Sequence, residues 1–575
     1  MRTAPNRDAT AEGREAVVGI RPSGERAILI ELASPGAVLS LARELDAAPP
    51  PGVVDVVAAA TTVLVAADSP ASLPGIVRRV RELGGASAAP RAGKLVVIET
   101  VYDGADLDEV ARLAGLSREG VVAAHAGQVW SAAFIGFAPG FAYLTGDGAL
   151  DVPRRTSPRT AVPAGSVGLA GTYSAVYPSQ SPGGWQLIGR TSAPMWDLGR
   201  DDPALIHPGD EVRFEPVRAR AELTQPGPAA RTHAEGAAPS SSDVSTAGLV
   251  IEPGLRAGGL VVVAPGLQTT VQDLGRPGLA ALGVSAAGAM DRDSLRSANR
   301  AVGNSPDAAG LEVLFGGLAL RAAGDQVLAV TGARAVLSVT TDDGAAPSRS
   351  ERHPALGEPF ALLGGETLRL GTPSAGLRSY VAVRGGLDVP PVLGSRSTDT
   401  LAGIGPEPLT AGDLLEVLRP RGAHVVGLPE TPPPLPEGVT ALRVVPGPRQ
   451  DWFTEDAARG FFDAEWTVTP QSNRVGLRLA GSALAWNRSD ELKSEGTVRG
   501  SIQVPPNGQP VLFLADHPVT GGYPVIGVVV EADLDLAGQL PPGARVRFAA
   551  VAPIHAPLRP THALPPHPPL GTPRA

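Results

Sequence analysis

The 575-residue sequence predicts a mainly β, α+β protein. Three observations carry that expectation. Gly 70 and Pro 58 make up more than a fifth of the chain, which suits a turn-rich β architecture and stops short of low-complexity composition. Short apolar runs broken by Gly and Pro recur from residue 27 to residue 551. Aromatic residues are only 4 %, so the cores have to be built from Val, Leu, Ile and Ala. The length corresponds to roughly four domains.

Residues 1–15 are polar and read as a disordered tail. Between 16 and 90, Ala27–Leu32 reads as a strand and Ala37–Leu45 as a helix. Val53–Ala58 and Thr61–Ala66 read as a hairpin, and Leu73–Leu83 as a second helix. This β-β-α-β-β-α order predicts a small α+β sandwich. From 91 to 216 comes a second unit: a strand at Lys94–Tyr102, helices at Asp106–Ala114 and Arg118–Ala126, then short strands and tight turns. Residues 217–258 (with PGPAA and EGAAPSSSD) read as a flexible linker. A second β-rich region spans 259–429 and 438–553, divided by the stiff ETPPPLPE run. Residues 554–575 read as another disordered tail, and no short-period repeat is evident.

Composition excludes several functions. The net charge of −9 and the lack of basic blocks argue against nucleic-acid binding. Without cysteine there are no disulfides, thiolate metal sites or cysteine nucleophile. Lys94 and Lys493 are the only lysines. Neither stands in a P-loop pattern, and neither has a methionine neighbour as a biotin-attachment lysine would, so no biotin is expected on this chain. No signal-peptide core and no long apolar span are present, which predicts a soluble cytoplasmic protein with no membrane partner.

Several motifs are candidates for chemistry. GFAPGFAYL (136–144) is a tight loop whose Pro139, Gly140 and Phe141 can bring bare backbone close to a small ligand; a rigid packed turn is the plainer reading. His125 upstream can act as an acid or base, or serve as a core hydrogen-bonder. PAGSVGLAGTYSAVYPSQSPGGWQLIGRT (163–191) fits barrel strands. Its Ser166, Gln180, Gln186 and Arg190, with Arg159 just before, either satisfy turns or converge on a carboxylate or phosphate. TTVQDLGRPG (269–278) holds Gln272, Asp273 and Arg276. GAMDRDSLRSANRAVGN (288–304) is an amphipathic helix opening at Asp291, which reads as an N-cap, and stopping at Gly303 and Asn304. DVPPVLGSRST (388–398) is a turn with hydroxyls around Arg396. SEGTVRGSIQVPPNGQPVLFLADHPVTGGYP (494–524) holds Ser494, Glu495, Gln503 and a hairpin at PPNGQP. Its Thr520, Gly521, Gly522 and Tyr523 form a candidate anion-binding backbone nest. No metal-ligand spacing stands out.

On these motifs residues 16–216 resemble the B component of 5-oxoprolinase, a family also called allophanate hydrolase subunit 1 or the kinase-inhibitor protein. Residues 260–551 resemble the C component, also called allophanate hydrolase subunit 2 or the biotin-dependent carboxyltransferase domain. The order B then C implies a natural fusion. The resemblance implies cyclophilin-like β-barrel domains in both halves, following the small α+β sandwich. It also implies a reaction in which the B and C components, with a separate A component, open the lactam of 5-oxoproline to glutamate while hydrolysing ATP. A lactam is a poor electrophile, and phosphorylating its oxygen makes it attackable by water.

Under that scheme His125, Arg190 and Arg396 are the catalytic candidates, with Arg159 and Arg276 as further phosphate-neutralising cations. Pro139, Gly140, Phe141, Ser166, Gln180, Gln186, Gln272, Asp273, Asp291, Asn304, Ser494, Glu495, Gln503, Thr520, Gly521, Gly522 and Tyr523 are candidates for holding substrate or nucleotide. Asp273, Asp291 and Glu495 would meet Mg²⁺ brought in with ATP. The implied partners are the 5-oxoprolinase A component, as a separate chain, and a small cyclic amide; a homo-oligomer is compatible. Two other readings follow from the same families: the carboxyltransferase component of a biotin-dependent urea carboxylase, and a regulatory inhibitor of a histidine kinase.

Overall fold

The computed structural model describes residues 17–84, 93–155, 157, 159–218, 258–341, 351–420, 426 and 432–552. Both expected tails and nearly all of the expected linker lie outside the described residues. The first unit is a four-stranded sheet ordered Val17–Pro22, Ala27–Leu32, Thr62–Ala67, Val53–Ala58, with helices Pro35–Ala47 and Leu73–Leu83. The Ser34 hydroxyl accepts from the Ala37 amide and starts the first helix, while Gly84, at φ 50°, ends the second. Period-two geometry explains why AILIEL is apolar almost throughout. Ile28, Ile30 and Leu32 face the helices, in a core with Val38, Leu41, Ile76 and Val80. Ala27 and Leu29 face the other way and pack with Val57, Leu64 and the distant Val519. A sheet covered on both faces needs no polar alternation.

The second unit is a seven-stranded sheet that curls into a nearly closed barrel. Its order is Gln186–Arg190, Ser166–Ala170, Tyr173–Val176, Ala142–Thr145, Trp130–Ile135, Glu211–Pro216, Leu95–Thr100. Val101 and Arg190 exchange backbone hydrogen bonds of 2.9 and 2.8 Å and draw the two edges together. Helices Leu107–Ala114 and Arg118–Ala126 accompany it.

The later half has two units. One stacks a six-stranded sheet and a five-stranded sheet over a core of Val271, Leu311, Leu320, Val330, Leu368 and Val381. Helix Arg292–Ala301 packs on it, and the Asp291 side chain accepts from the Ser294 amide as the expected cap. The other is a closed barrel running Val439–Pro446, Val525–Val529, Ser501–Gln503, Val511–Phe513, Gly476–Ala480, Trp466–Val468, Arg545–Ala550. The PPNGQP hairpin joins two of its strands, as expected.

The two barrels repeat one plan. In each, the last strand pairs in parallel with the first. In each, a buried tryptophan opens a strand and donates its indole N–H to a carbonyl five residues earlier: Trp130 to His125, Trp466 to Phe461. His125 lies 4.4 Å from the Phe214 ring, and Phe461 stacks on Phe548 at 4.7 Å. His125 thus occupies the place of a core phenylalanine.

Candidate functional site

A cavity of about 610 Å³ lies between the two barrels and is lined by both halves of the chain. The first half contributes an aromatic wall: Phe141 stands edge-on to Tyr143, Tyr177 and Trp185 at 5.1, 5.2 and 5.5 Å. The second half contributes Ser494, Gln503, Thr520, Gly521, Gly522 and Tyr523, with Trp486 and the exposed Glu491.

The loop after Trp130–Ile135 holds the halves together at this point. Gly136 has no room for a side chain, since a Cβ there would lie 2.1 Å from Thr520 Oγ1. Phe137 follows at φ 65°, a left-handed conformation costly for a bulky residue, and its amide donates to Thr520 Oγ1 at 2.9 Å. Gly140, at φ 74°, donates to the Leu282 carbonyl of the other half at 3.3 Å.

The cavity wall carries two arginines, and they differ in what they hold. Arg155 is committed to Asp106 at 2.6 Å, and Arg159, just outside, grips the same carboxylate through two bonds of 2.8 Å. Burial pushes Asp106 up, but Arg159, the Leu187 amide and Arg155 outweigh it and hold the carboxyl below its ordinary range. Arg154 makes no ion pair among the described residues and faces the cavity. Burial raises the Tyr143 phenol, while Arg154, Ser494 and Thr520 pull it the other way, so Tyr143 is a neutral hydroxyl set between the halves. Burial also raises Tyr177. An aromatic wall, a free guanidinium, neutral hydroxyls and an amide suit a small planar ligand carrying an anionic group.

Of the residues expected from sequence, Phe141, Ser494, Gln503, Thr520, Gly521, Gly522 and Tyr523 line this cavity. The nest expected at Thr520–Tyr523 is instead a short strand, Thr520–Gly521, and neither glycine is left-handed. A Cβ at Gly521 would lie 2.3 Å from Gln503 Nε2, so a side chain there would displace that amide. Pro139 and Gly140 belong to the loop that seats the halves and do not line the cavity.

The remaining candidates do not converge on it. His125 is fully buried, engaged by Tyr102 at 2.7 Å and Ser174 at 2.8 Å, and burial lowers its pKa to about 3. Such a group is neutral and shielded, which corrects its expected proton-handling role. Arg190 is exposed and paired with Asp103 at 3.0 Å. Arg396 donates to the Val389 carbonyl, and its amide donates to Asp273, inside the 388–398 turn. Arg276 is tied to the Val392 and Ser397 carbonyls. Gln272 donates to Thr270 and Thr398, Gln186 to the Pro153 carbonyl, and Asn304 to the Val383 carbonyl. Ser166 is buried in a strand, and Gln180 is exposed at a turn.

The three expected magnesium carboxylates are also scattered. Asp273 accepts from Ser395 and Ser397, Asp291 caps its helix and accepts from Gln539, and Glu495 is paired with Arg449. Among the described residues no group of three His, Cys, Asp or Glu is placed to hold a metal ion, and no helix is long and apolar enough to cross a membrane. Sequence reading missed Arg154, Arg155, Tyr143, Tyr177, Trp185 and Trp486. All but Arg154, Arg155 and Trp486 fall inside quoted motifs; their signal was an aromatic in or beside a short strand, which a packed core shows equally.

Comparison with known proteins agrees with this bipartite geometry. Residues 18–206 match the model of carboxyltransferase domain, subdomains C and D, and residues 282–550 match that of subdomains A and B. The later half is 37 % identical over 298 residues to the C component of 5-oxoprolinase from Escherichia coli (strain K12), covering 50 % of this chain and 90 % of that protein. The first half is 40 % identical over 205 residues to the B component of 5-oxoprolinase from Escherichia coli O157:H7, covering 34 % of this chain and 94 % of that protein. The urea amidolyase of Lachancea kluyveri is 32 % identical over 319 residues, 51 % of this chain but 17 % of that much longer protein. The crystal structure of TTHA0988 superposes with a TM-score of 0.75 at 34 % identity, covering 91 % of this chain and 99 % of that one. With a B-type half preceding a C-type half on one polypeptide, the chain belongs to the family of 5-oxoprolinase B and C components, built from carboxyltransferase-type subdomains.

Proposed function

We propose that the chain is the fused B and C component of an ATP-dependent 5-oxoprolinase, working with a separate hydrolytic A component in the cytoplasm. The observation that carries this reading is the cavity shared by both halves, with Arg154 free of any ion pair among the described residues beside an aromatic wall. 5-Oxoproline is a flat five-membered lactam with one carboxylate. Arg154 would take the carboxylate in a charge-assisted pair, the wall would flank the ring, and Tyr143, Ser494, Thr520 and Gln503 would surround the amide.

In the proposed reaction the lactam oxygen attacks the γ-phosphorus of ATP and ADP leaves. Water then adds to the activated carbon and the ring C–N bond breaks, giving glutamyl γ-phosphate; a second water hydrolyses that acyl phosphate, releasing phosphate and glutamate. The cavity volume exceeds what a five-membered ring needs, which leaves space for part of a co-substrate. Mg²⁺ would enter as the ATP complex, held chiefly by phosphate oxygens.

The test is to combine the full chain with the A component, ATP, Mg²⁺ and 5-oxoproline and to measure glutamate and ADP. Stoichiometric formation of both is expected. Likeness to urea amidolyase favours a second reading, carboxyl transfer from carboxybiotin to urea. Urea carries no carboxylate for Arg154. Turnover of urea with carboxybiotin, and none of 5-oxoproline with ATP, would reverse the order of the two readings.

A further inference from the structure

Part of the wall that the second half gives to the cavity is carried by a minimal ribbon. Glu495–Gly496 pairs antiparallel with Thr520–Gly521, Glu495 opposite Gly521 and Gly496 opposite Thr520. Strands this short do not hold themselves in place. Their support comes from behind, from the small N-terminal sheet. The Ala60 amide donates to the Ser494 carbonyl at 3.2 Å. A Cβ on Gly496 would lie 2.6 Å from Leu64 Cβ, so sheet and ribbon are in direct contact there. Val519, next to Thr520, is buried among Ala27, Leu29, Val57 and Leu64.

One ionic element joins these pieces. Arg449, 7 % exposed, donates from Nε to both oxygens of Glu495 at 3.0 and 2.9 Å, and from Nη1 to Glu31. Glu31 reaches it because strand parity puts Glu31 on the same face as Ala27 and Leu29. The other Glu31 oxygen accepts from Arg21 at 3.1 Å, and Arg21 donates to the Pro448 carbonyl at 3.1 Å. A guanidinium divided between two carboxylates loses its fixed orientation when either is removed.

The geometry points to Glu31 as a positioning residue: through Arg449 it fixes Glu495, and with it the ribbon that carries Ser494, Thr520 and Gly521 to the cavity. The small α+β unit is then a working part of the site and not an appendage. The inference rests on the reading of this cavity as the site, but its test does not depend on the reaction.

Hydrogen exchange is measured on the full chain for peptides spanning 493–498 and 517–523, in the parent and in Glu31→Gln, Arg449→Lys and Asp55→Ala. Asp55 accepts from the Gly278 and Ala280 amides at 3.1 and 3.0 Å, so it ties the same N-terminal unit to the later half without a bond to Arg449 or Glu495. Glu31→Gln should speed exchange in both peptides by about tenfold while peptides from Thr62–Ala67 stay protected. Arg449→Lys, which keeps the charge and loses the fork that holds Glu495 directly, should speed exchange at least as much, and carries the test alone if Glu31→Gln does not fold. Asp55→Ala should loosen the ribbon less than Glu31→Gln does. Unaltered ribbon exchange in Glu31→Gln, or equal loosening in Asp55→Ala, overturns the inference. Where the parent turns over 5-oxoproline, Glu31→Gln should also lower kcat/KM by about tenfold, measured well below its unfolding midpoint. A parent without turnover would sink the proposed reaction and leave the exchange result standing.

Discussion

Arg154→Ala is the sharpest probe of the cavity, because its effect can be separated from general damage by changing the ligand as well. Arg154 has no ionic partner to strand among the described residues, unlike Arg155, whose removal would leave part of the Asp106 carboxylate unmet. The cost of Arg154→Ala should therefore fall on ligand binding and not on folding. A hydrogen-bonded pair between guanidinium and carboxylate in a partly enclosed site contributes about 2 kcal/mol. At about 1.4 kcal/mol per factor of ten, that is about a thirtyfold loss of affinity. Calorimetry would compare 5-oxoproline with 2-pyrrolidinone, the same ring without its carboxylate. The parent should prefer 5-oxoproline by about thirtyfold, and the variant should bind both alike. Equal weakening of the two ligands would refute the assignment, since Arg154 would then be shaping the cavity and not reading the charge.

Other consequences can be measured separately. Gly136→Ala places a methyl 2.1 Å from Thr520 Oγ1, so it should wedge the halves apart, cost about 1–3 kcal/mol and abolish ligand binding, as read by thermal unfolding and calorimetry. Arg474→Met strands two buried carboxylates: Asp516, held through two 2.9 Å bonds, and Glu312. It should destabilise the later half by about 3–5 kcal/mol in a denaturant titration. His125 is held neutral by burial with its pKa down at about 3, so the unfolded chain binds a proton there that the folded chain refuses. Its contribution to stability is present above about pH 6.5 and lost as pH falls towards 3, by about 1.4 kcal/mol per pH unit. In His125→Phe, the residue type at the equivalent place in the other barrel, the acid limb of the stability curve should be shallower by that slope. His517, with its pKa lowered to about 4 by burial, keeps part of the limb in place.

Much of the architecture was legible because it is set locally. Asp291 marks its helix start by capping chemistry that the neighbouring Ser294 amide completes. Ala27–Leu32 and Val53–Ala58 announce themselves by composition. The site was half legible, for a physical reason. SEGTVRG and TGGYP mark the ribbon because glycine is needed where backbone is closely approached: Gly496 meets Leu64 of the first half, and Gly521 meets Gln503 within the later half. The arginine proposed to meet the ligand could not be told from its neighbours. Arg154, Arg155, Arg159 and Arg190 look alike in sequence; only the placement of Asp106 and Asp103, dozens of residues away, decides which of them is already spoken for. His125 failed for a related reason. An imidazole between Phe214 and Trp130 serves as a polar ring in an apolar core, and sequence does not display what surrounds it.

The left-handed Phe137, whose amide is held by Thr520, has a consequence for exchange of parts between relatives. A strained turn kept in shape by a hydroxyl on the opposite module ties the two modules' histories together: whatever replaces Thr520 must still accept that amide and still fit against a residue without a side chain at 136. Chimaeras that graft a first module from one organism onto a second module from another should succeed only when both sides of this seam travel as a matched set.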